Sequence, residues 1–472
     1  MTTALATILA ALKKRADLDT VERRGRWLTG GQFLDRIHAR AADLAGSGLK
    51  PGETALIVVS DNMLAMETLF GCWMRGIAGA FVDFRTPPRR ISDLARHLGA
   101  ARIIGHRPID GLDIWLARDG VAVAEHGFAK HVDPAAGAIV YMSSGTTGPV
   151  KTYPRTQGDL GDALAEYCAM DEAMPDSRML SAISVAYSAS AFQWLRSLAN
   201  GTPIAAMDLV YRLQDLDAAL RRKDITHCGL PPILIRRLAA LPDLQSSPRY
   251  PQLMQLSSIG GPALAQDKIA AVTRLTENYR MTYSCVGLGM VSKITGTEIL
   301  ERPASCGKVR EGVEVTILDG QRRCAPGEIG EISITTGTGP AKRPGDLGWL
   351  DRDGYLYVTG RVQGMFCRNG INFFADRLVS AALDLPQIVA AAAISEPDGD
   401  EGDIVHLFVQ GQNGQADGVR QHLIKVLPLA ERPDHVHIRG TLPMNVAGKV
   451  DLRELARDVE SFRKEGLSDA CP

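Results

Sequence analysis

Residues 141–155 read YMSSGTTGPVKTYPR and place small hydroxyl side chains, two glycines and one lysine directly behind the apolar run 138–140. A strand that ends in Gly and Thr residues leaves successive backbone N–H groups unpaired, and such nests bind phosphate oxygens. Ser and Thr hydroxyls add donors, and Lys151 adds a mobile positive charge. The segment therefore predicts a phosphate-binding loop, with an ordinary surface loop as the alternative interpretation.

The spacing of glycines argues against two common classes of nucleotide-binding enzyme. Residues 145–151 read GTTGPVK, which lacks the G-x-x-x-x-G-K-[ST] spacing of P-loop kinases and NTPases. A second run, GLGMVS at 287–292, does not open a βαβ unit with an acidic residue downstream, so a dehydrogenase is also disfavoured.

Composition and charge favour a cytoplasmic enzyme of more than one domain. The chain has 472 residues, of which 45% are apolar, enough to bury a substantial core in two or more domains. Lys and Arg total 53 against 54 for Asp and Glu, so nothing in the net charge predicts a nucleic-acid or membrane partner. Eight cysteines without a C-x-x-C pair are typical of reduced, mostly buried thiols in a cytosolic protein.

Targeting signals are not expected in this sequence. The apolar run 1–12 is followed, rather than preceded, by Lys13 and Lys14, which is the wrong order for a signal peptide. No uncharged run has the length of a membrane span. These features again predict a cytoplasmic protein.

Short β-branched runs alternate with segments of helical spacing along most of the chain. The pattern predicts helices over 32–45 and about 62–74, with strands in TALIVVS and GAFVDF around the second of them. Further strands, each followed by helical spacing, are predicted in ARIIG, GAIVYMS, RMLSAIS, THCGLPP and LMQLSSIGG. Such repetition indicates parallel sheets covered by helices.

The last third of the chain has a different character. GEIGEISIT and GYLYVTGR, within 327–361, indicate hydrophilic, hairpin-like strands. Beyond them, helices are predicted over 376–383 and 419–427, with strands in IVAAAAI and IVHLFVQ. We place a domain boundary near Arg361.

The phosphate-loop sequence SSGTTGPVK resembles [ST]-S-G-[ST]-T-G-x-P-K of the class I adenylate-forming enzymes, the AMP-dependent synthetases and ligases that include acyl-CoA synthetases. Further motifs agree in order: SSIGGPAL at 257–264, TYSCVGLG at 282–289, GEIGEISI at 327–334, PGDLGWLDRDGYLYVTGR at 344–361 and LPMNVAGKVDLREL at 442–455. The resemblance spans nearly the whole chain.

This resemblance implies a fold and a reaction. The fold is an α/β chain with a large N-terminal domain, 1–361, of helix-covered, mainly parallel sheets plus a β-rich subdomain. A small, mobile α+β C-terminal domain, 362–472, would rotate about a hinge at 362–364. The reaction is attack of a carboxylate on ATP, with Mg²⁺, to give an acyl-adenylate, followed by transfer to a thiol of coenzyme A or of carrier-protein phosphopantetheine.

The resemblance also implies roles for individual residues. The β- and γ-phosphates would be held by Ser143, Ser144, Gly145, Thr146, Thr147, Gly148 and the catalytic Lys151. The adenine would be flanked by Gly260, Gly261 and Pro262, and Tyr283 would stack on it. Asp346 would accept both ribose hydroxyls, with Arg361 nearby. Lys449 would be the catalytic lysine of the small domain, bridging the substrate carboxylate and the α-phosphate. A pantetheine arm would pass at Gly370.

Several positions depart from the family pattern. Val286 and Gly287 stand where the family has Thr and Glu, so a phosphate-contacting hydroxyl and a magnesium-linked carboxylate are missing. Mg²⁺ can be held mainly by phosphates and water, so binding need not be lost. These departures leave open a divergent nucleotide-binding homologue with little or no ligase activity, although retention of Lys449 favours the enzyme. The metal ligands are not identified.

The acid substrate is predicted to be a carboxylic acid without an α-amino group. In AYSASAFQW, 186–194, Ser188 stands where amino-acid-activating relatives place an Asp, and an unpaired ammonium would be costly to desolvate. The predicted acyl pocket is mixed but mostly apolar, and an ordinary core is the alternative interpretation. Its residues are Tyr187, Ser188, Phe192, Gln193, Cys285 and Met290.

Overall fold

The structure is a computed structural model that describes residues 2–118, 132–142, 152–170, 177–242, 248–259, 263–285, 288–337, 339–361, 364–368, 371–397, 403–411, 416–444 and 449–464. It divides into two compact units. The first unit comprises Met1–Ser144, Val150–Gly261 and Ala270–Tyr279, and the second comprises Gly145–Pro149, Pro262–Ile269 and Arg280–Pro472.

Alternating helices and short strands build the first part of the chain. In order they are α1 (Ala4–Lys14), β1 (Asp19–Arg23), β2 (Arg26–Thr29), α2 (Gly30–Asp43), β3 (Thr54–Val59), α3 (Asn62–Met74), β4 (Ala78–Asp83), α4 (Pro88–Leu98), β5 (Arg102–Gly105), β6 (Trp115–Leu116), β7 (Gly137–Met142), β8 (Thr152–Thr156), α5 (Gln157–Met170), β9 (Met179–Ser181), α6 (Ser188–Ala199), β10 (Ile204–Ala206), α7 (Leu213–Leu220), β11 (His227–Leu230), α8 (Pro232–Ala239) and β12 (Gln255–Ser258).

Strands dominate the remainder. They are interspersed with few helices: α9 (Ala265–Ala270), β13 (Tyr279–Cys285), β14 (Gly289–Thr295), α10 (Gly296–Glu301), β15 (Gly307–Val309), β16 (Val313–Asp319), β17 (Arg322–Arg323), β18 (Gly330–Thr336), β19 (Asp346–Leu350), β20 (Tyr355–Arg361), β21 (Met365–Arg368), β22 (Ile371–Phe374), α11 (Ala375–Leu383), β23 (Ala390–Pro397), β24 (Asp403–Gln410), α12 (Ala416–Val426), β25 (His435–Arg439) and α13 (Leu452–Lys464).

Two mainly parallel sheets form the frame of the first unit. One has the order β6-β5-β3-β4-β7-β8, in which all neighbours are parallel except β7 and β8. The other contains the run β12-β11-β9-β10-β1-β2, parallel except for β1 and β2. Helix-covered parallel sheets were expected from the alternating pattern, and the prediction is confirmed.

Helix α3 is completely buried in the core of the first unit. Every residue of α3 is buried, so its sequence is apolar on all sides rather than amphipathic. Glu67 can be buried in this helix because Arg40, which is 1% exposed, donates to its carboxylate at 2.8 Å. Burial raises the pKa of Glu67, and the neighbouring arginines oppose that rise.

Two of the expected strand–helix successions are wrong. The strand ARIIG is followed by β6 rather than by a helix, because the intervening RPIDG contains Pro and Gly, which break helical spacing. The strand GAIVYMS is followed by β8, which pairs antiparallel with β7 before α5 begins. In the described part of the chain, β7 is therefore followed by its antiparallel neighbour rather than by a helix.

The second unit contains an antiparallel sheet and a smaller α+β part. The antiparallel run is β17-β16-β18-β19-β20-β15-β14-β13. Its core contains Val291, Ile317, Ile332, Ile334 and Leu356. This sheet matches the β-rich region expected within 327–361, although it begins earlier in the chain.

The smaller part is built on a three-stranded sheet. β23 pairs antiparallel with β24, and β24 pairs parallel with β25. One face buries α11 and α12 through a core that includes Leu378, Val405 and Leu423. On the other face, Phe408 packs with Leu442 and Leu455, so α13 and the segment before it are attached there. A separate domain beginning at 362 stays a prediction.

Among the described residues, no helix has the length and apolar character needed to cross a membrane.

Candidate active site

In the chain, the predicted phosphate loop lies between strands β7 and β8. Tyr141 pairs with Tyr153 and Met142 with Thr152, so the ends of β7 and β8 meet on either side of it. The loop residues themselves, Ser143 to Gly148 and Lys151, lie outside the described residues, as do Gly260, Gly261, Pro262, Val286, Gly287, Val362, Gln363 and Gly370. Their predicted roles stay predictions.

Tyr283 and Asp346 form a partly buried polar pair in the second unit; we call them the tyrosine–aspartate pair. The Tyr283 hydroxyl donates to Asp346 Oδ2 at 2.5 Å. Asp346 is 5% exposed, so its carboxylate is fixed in a largely dry surrounding. Burial, Cys285 and the Asp346 charge together raise the pKa of Tyr283 well above its ordinary range, so the hydroxyl keeps its proton.

Strand pairing explains why the sequence brings this pair together. Asp346 opens β19 and is opposite Arg361 at the end of β20, so two residues of the GDL and GR motifs meet by register. Tyr283 lies on β13, immediately before a register shift at Ser284 in the β13–β14 pair. A shift of this kind re-aims the following side chains. The register thus pairs Asp346 with Arg361, the residue expected nearby, and the hydrogen bond from Tyr283 is an additional contact that the sequence did not predict.

Four predicted pocket residues share the start of one helix. Tyr187 precedes the first turn of α6, Ser188 begins it, and Phe192 and Gln193 follow one turn later. Burial raises the pKa of Tyr187 to about 12. Phe192 meets Tyr167 edge to face at 4.9 Å between ring centroids. Ser188 and Phe192 are four residues apart and share one face of the helix, whereas Gln193 points about 100° away from Phe192.

Asn62 fixes the chain that leads into this helix, a role that sequence analysis missed. Its amide nitrogen donates to Ser181 Oγ at 3.1 Å and to the Ile183 carbonyl at 2.8 Å, and its amide oxygen accepts from Val185 N at 2.9 Å. Trp194 also donates to Ser181, at 2.6 Å. Asn at a helix start predicts a cap, but the long-range partners carry no local sequence signal.

Gly229 is a second residue that sequence analysis missed. It lies on β11, and a Cβ atom there would overlap the carboxamide of Gln193. The absence of a side chain therefore makes room for Gln193 to lie against the strand. A glycine within a strand signals close approach of another group, which was the available hint.

Cys285 and Met290 lie in the second unit, on the two strands that flank residues 286–288. Cys285 pairs with Gly289, and Ser284 pairs with Met290. Gly289 has a positive φ of 74°, which suits the turn into β14. Both predicted pocket residues are partly buried. The structure thus places both residues at one end of the β13–β14 hairpin.

Lys449 is exposed and lies on a short segment closed by a bridge between Met444 and Val450. Asp451 N donates to the Pro443 carbonyl at 2.8 Å, which closes the same segment a second time. We call residues 442–444 and 449–451 the lysine segment. Its base is buried, since Leu442 is 4% exposed and packs on Phe408.

Asp451 belongs to the helix that follows. Its carboxylate accepts from Glu454 N at 3.3 Å, three residues on, as a helix N-cap does. The Asp of the G-K-[IV]-D motif thus has a structural task here, which is to start α13. That helix in turn buries Leu455 beside Leu442 and supports the lysine segment.

The described residues contain no group of three or more His, Cys, Asp or Glu side chains that could hold a metal ion. The buried Asp346 carboxylate and the tyrosine that orients it suit a ligand with hydroxyl donors, such as a ribose diol.

Comparison with curated proteins finds ligases of small carboxylic acids. The 2-succinylbenzoate–CoA ligase of Lactococcus lactis is 25% identical over 335 residues, which cover 67% of this chain and 70% of that one. The salicyl-AMP ligase / salicyl-S-ArCP synthetase of Mycobacterium tuberculosis is 24% identical over 534 aligned positions, covering 96% and 90%.

Comparison with solved structures gives the same fold. The o-succinylbenzoate CoA synthetase of Bacillus subtilis, in complex with the acyl-adenylate intermediate OSB-AMP, matches with a TM-score of 0.82 at 17% identity. The match covers 94% of this chain and 97% of that one. The α/β architecture with a large N-terminal sheet domain and a small C-terminal domain is thereby confirmed.

The model of the AMP-binding enzyme family matches residues 9–341, most of the length of the chain. That span contains the two parallel sheets, Tyr283 and the helix that begins at Ser188. The chain therefore belongs to the AMP-binding enzyme family of adenylate-forming ligases.

Proposed function

We propose that this protein is an acid–thiol ligase that uses ATP and Mg²⁺ to activate a carboxylic acid without an α-amino group. The acid becomes an acyl-adenylate, and the acyl group then passes to the thiol of coenzyme A or of carrier-protein phosphopantetheine. The observation that carries the proposal is the tyrosine–aspartate pair, a buried carboxylate that a tyrosine holds in one orientation within the motif that resembles the family's nucleotide-binding sequence.

The two bond changes can be written in full. A carboxylate oxygen of the acid attacks the α-phosphorus of ATP, the bond to the bridging oxygen of the β-phosphate breaks, and pyrophosphate leaves. In the second step the thiolate sulfur attacks the acyl carbonyl, and AMP leaves with the electron pair of the C–O bond. Magnesium supplies charge neutralisation on the departing phosphates.

Asp346 would accept the ribose hydroxyls of the nucleotide in both steps. Its Oδ2 already accepts from Tyr283, so the carboxylate does not rotate freely and is held in one orientation. Binding energy gained at the ribose, away from the reacting phosphorus, can hold the α-phosphate in place for attack.

Lys449 would neutralise charge between the two anions that meet in the first step. A carboxylate and a phosphate repel each other, and an ammonium placed between them stabilises the transition state more than the separated reactants. The exposed position of Lys449 suits a group that engages a ligand. We also propose that residues 362–472 form a separate C-terminal domain that carries Lys449 and rotates about a hinge at residues 362–364.

The remaining predicted residues complete the proposal. Phosphate contacts belong to residues 143–148 and Lys151, adenine contacts to residues 260–262, and the acyl pocket to the start of α6 with Cys285 and Met290. Ser188 supplies no carboxylate for an α-ammonium group, which supports an acid without one. We also infer a cytoplasmic location and no nucleic-acid or membrane partner.

The test is acid-dependent exchange of labelled pyrophosphate into ATP over a panel of carboxylic acids, with Lys449→Ala beside the wild type. Exchange with one class of acid, lost in the variant, is the expected result. Addition of coenzyme A, or of a carrier protein bearing phosphopantetheine, then identifies the acceptor by thioester formation. If the wild type binds ATP but exchanges with no acid, the chain is a nucleotide-binding homologue and the proposal is wrong.

A further inference from the structure

The hydroxyl of Tyr141 is an unusual feature of the first unit. Tyr141 lies on β7, two residues before the predicted phosphate loop. Its hydroxyl oxygen is buried and has no hydrogen-bond partner among the described residues. Buried polar groups in folded proteins are nearly always paired, so an unpaired one needs an explanation.

Tyr141 lines a small cavity together with Ser188, one of the residues predicted to contact the acid. The cavity has a volume of about 10 Å³. Space of that size admits a group about as large as one water molecule. The rest of its lining is Phe81, Ile139, Val140, Met142, Val185 and Ala186, which is apolar apart from the backbone.

The hydroxyl is available as a donor at any physiological pH. Burial raises the pKa of Tyr141 well above its ordinary range, while the positive charge of Arg155 opposes the rise and therefore lies close. Arg155 is on β8, opposite Ile139, and its Nε is also buried without a partner among the described residues. Arg155 does not line the cavity itself, but a positive charge on the neighbouring strand favours an acceptor oxygen beside the Tyr141 hydroxyl.

We propose that Tyr141 is a specificity-determining residue, whose hydroxyl donates a hydrogen bond to an oxygen substituent that the acid carries away from its reacting carboxylate. This inference rests on the proposed function and narrows its substrate class to hydroxy acids, oxo acids or dicarboxylic acids. An acid that carries such an oxygen gains a hydrogen bond from the Tyr141 hydroxyl, whereas an acid that lacks it gains none and is activated less efficiently.

The experiment compares acids that share a carbon skeleton and differ in one oxygen substituent. The probes are benzoate with its 2-, 3- and 4-hydroxy derivatives, and hexanoate with 5-oxohexanoate and hexanedioate. For each, kcat/KM for pyrophosphate exchange is measured in the wild type and in Tyr141→Phe. The wild type is expected to prefer one oxygenated acid over its parent by roughly tenfold, and the variant to lose most of that preference.

Tyr153→Phe is the matched control, because it makes the same chemical change at the residue paired with Tyr141 on β8. It is expected to keep the wild-type preference. Tyr141→Phe removes only an unpaired hydroxyl, so its melting temperature should equal or exceed that of the wild type.

Three results would overturn the inference. The wild type could exchange equally well with parent and oxygenated acids, or Tyr141→Phe could keep the full preference. The variant could also alter only thioester formation and leave exchange unchanged, which would place Tyr141 at the thiol path. Failure of the proposed function is a different result, in which the wild type exchanges with no acid at all.

Discussion

Asp346 and Lys449 both belong to the second unit, but their surroundings hold them in opposite ways. Asp346 is 5% exposed, begins a strand of an antiparallel sheet and accepts a hydrogen bond from Tyr283 at 2.5 Å. Lys449 is exposed, on a short segment whose base alone is buried. The difference agrees with the roles proposed above, in which Asp346 would bind the nucleotide from a fixed position and Lys449 would act on the reacting atoms.

The largest expected effect is that of Lys449→Ala on turnover. Loss of an ammonium that stabilises developing charge should lower kcat for pyrophosphate exchange by roughly 10²–10³-fold, with the KM for ATP little changed. Initial rates at several ATP concentrations measure both parameters. Lys425→Ala, an exposed lysine in the last turn of α12, is the control and should behave as the wild type. An equal loss in both variants would point to surface charge in general.

A smaller effect is expected from Asp346→Asn. The amide oxygen can still accept from Tyr283, but the charge that strengthens hydrogen bonds from ribose hydroxyls is lost. Such bonds contribute about 1.5–3 kcal/mol each, so the KM for ATP should rise by roughly 10–100-fold while kcat falls less.

Asp353→Asn is the control for this change. Asp353 lies in the same motif, but its side chain is 64% exposed and pairs with Arg302. Its KM for ATP should match that of the wild type. A KM for ATP in Asp346→Asn equal to that of the wild type would show that the buried carboxylate does not bind the nucleotide. The proposed difference in role between Asp346 and Lys449 would then be wrong.

Tyr283→Phe should have a modest effect. The ring remains, so stacking on a base is kept, but the Asp346 carboxylate loses the donor that orients it. We expect the KM for ATP to rise roughly fivefold, which corresponds to about 1 kcal/mol. Combining this change with Asp346→Asn should give less than the sum of the two separate effects, because the two groups share one hydrogen bond. Full additivity would show that Tyr283 acts independently of Asp346.

The smallest effect concerns the pH dependence of folding stability, through the side chains that support the lysine segment. His437 stacks on Phe408 at 4.4 Å between ring centroids, and Phe408 packs against Leu442 of the lysine segment. Burial, with the nearby charges of His406, His435, Arg439 and Arg420, lowers the pKa of His437 to about 4. His437 is thus neutral in the folded state at a pH where it would be protonated in the unfolded chain.

Stability should therefore be highest above about pH 6.5, the ordinary histidine value, and fall as the pH is lowered toward 4. Thermal melts across that range measure the decline, and His437→Gln should flatten it. A melting temperature that rises on acidification would contradict this prediction. So would a pH dependence of the melting temperature that His437→Gln leaves unchanged.

The local elements of this fold follow from the sequence because their signals are local. The helix Asn62–Met74 begins and ends where the pattern predicts, since a capping Asp61 precedes it and Gly76 follows it closely. The strands around Asp346 were likewise expected from their motif. The cap at Asp451 and the closed lysine segment also depend on residues within ten positions of one another.

The parts that could not be predicted depend on contacts between distant residues. The return of the chain as β8 requires pairing with β7, and a Gly- and Ser-rich segment by itself does not distinguish a loop before a helix from a hairpin. The hydrogen bonds of Asn62 reach residues more than 100 positions away. The importance of Gly229 depends on its contact with Gln193, and that of Tyr141 on the cavity it shares with Ser188, and neither contact is visible in the sequence.

One measurement tests the division of labour between Asp346 and Lys449 most directly: calorimetric titration of MgATP into the wild type, Asp346→Asn and Lys449→Ala, without an acid. We expect Lys449→Ala to bind MgATP as tightly as the wild type, although its kcat for exchange is lowered roughly 10²–10³-fold, and Asp346→Asn to bind MgATP at least tenfold more weakly. Weak binding by Lys449→Ala together with unchanged binding by Asp346→Asn would contradict the account.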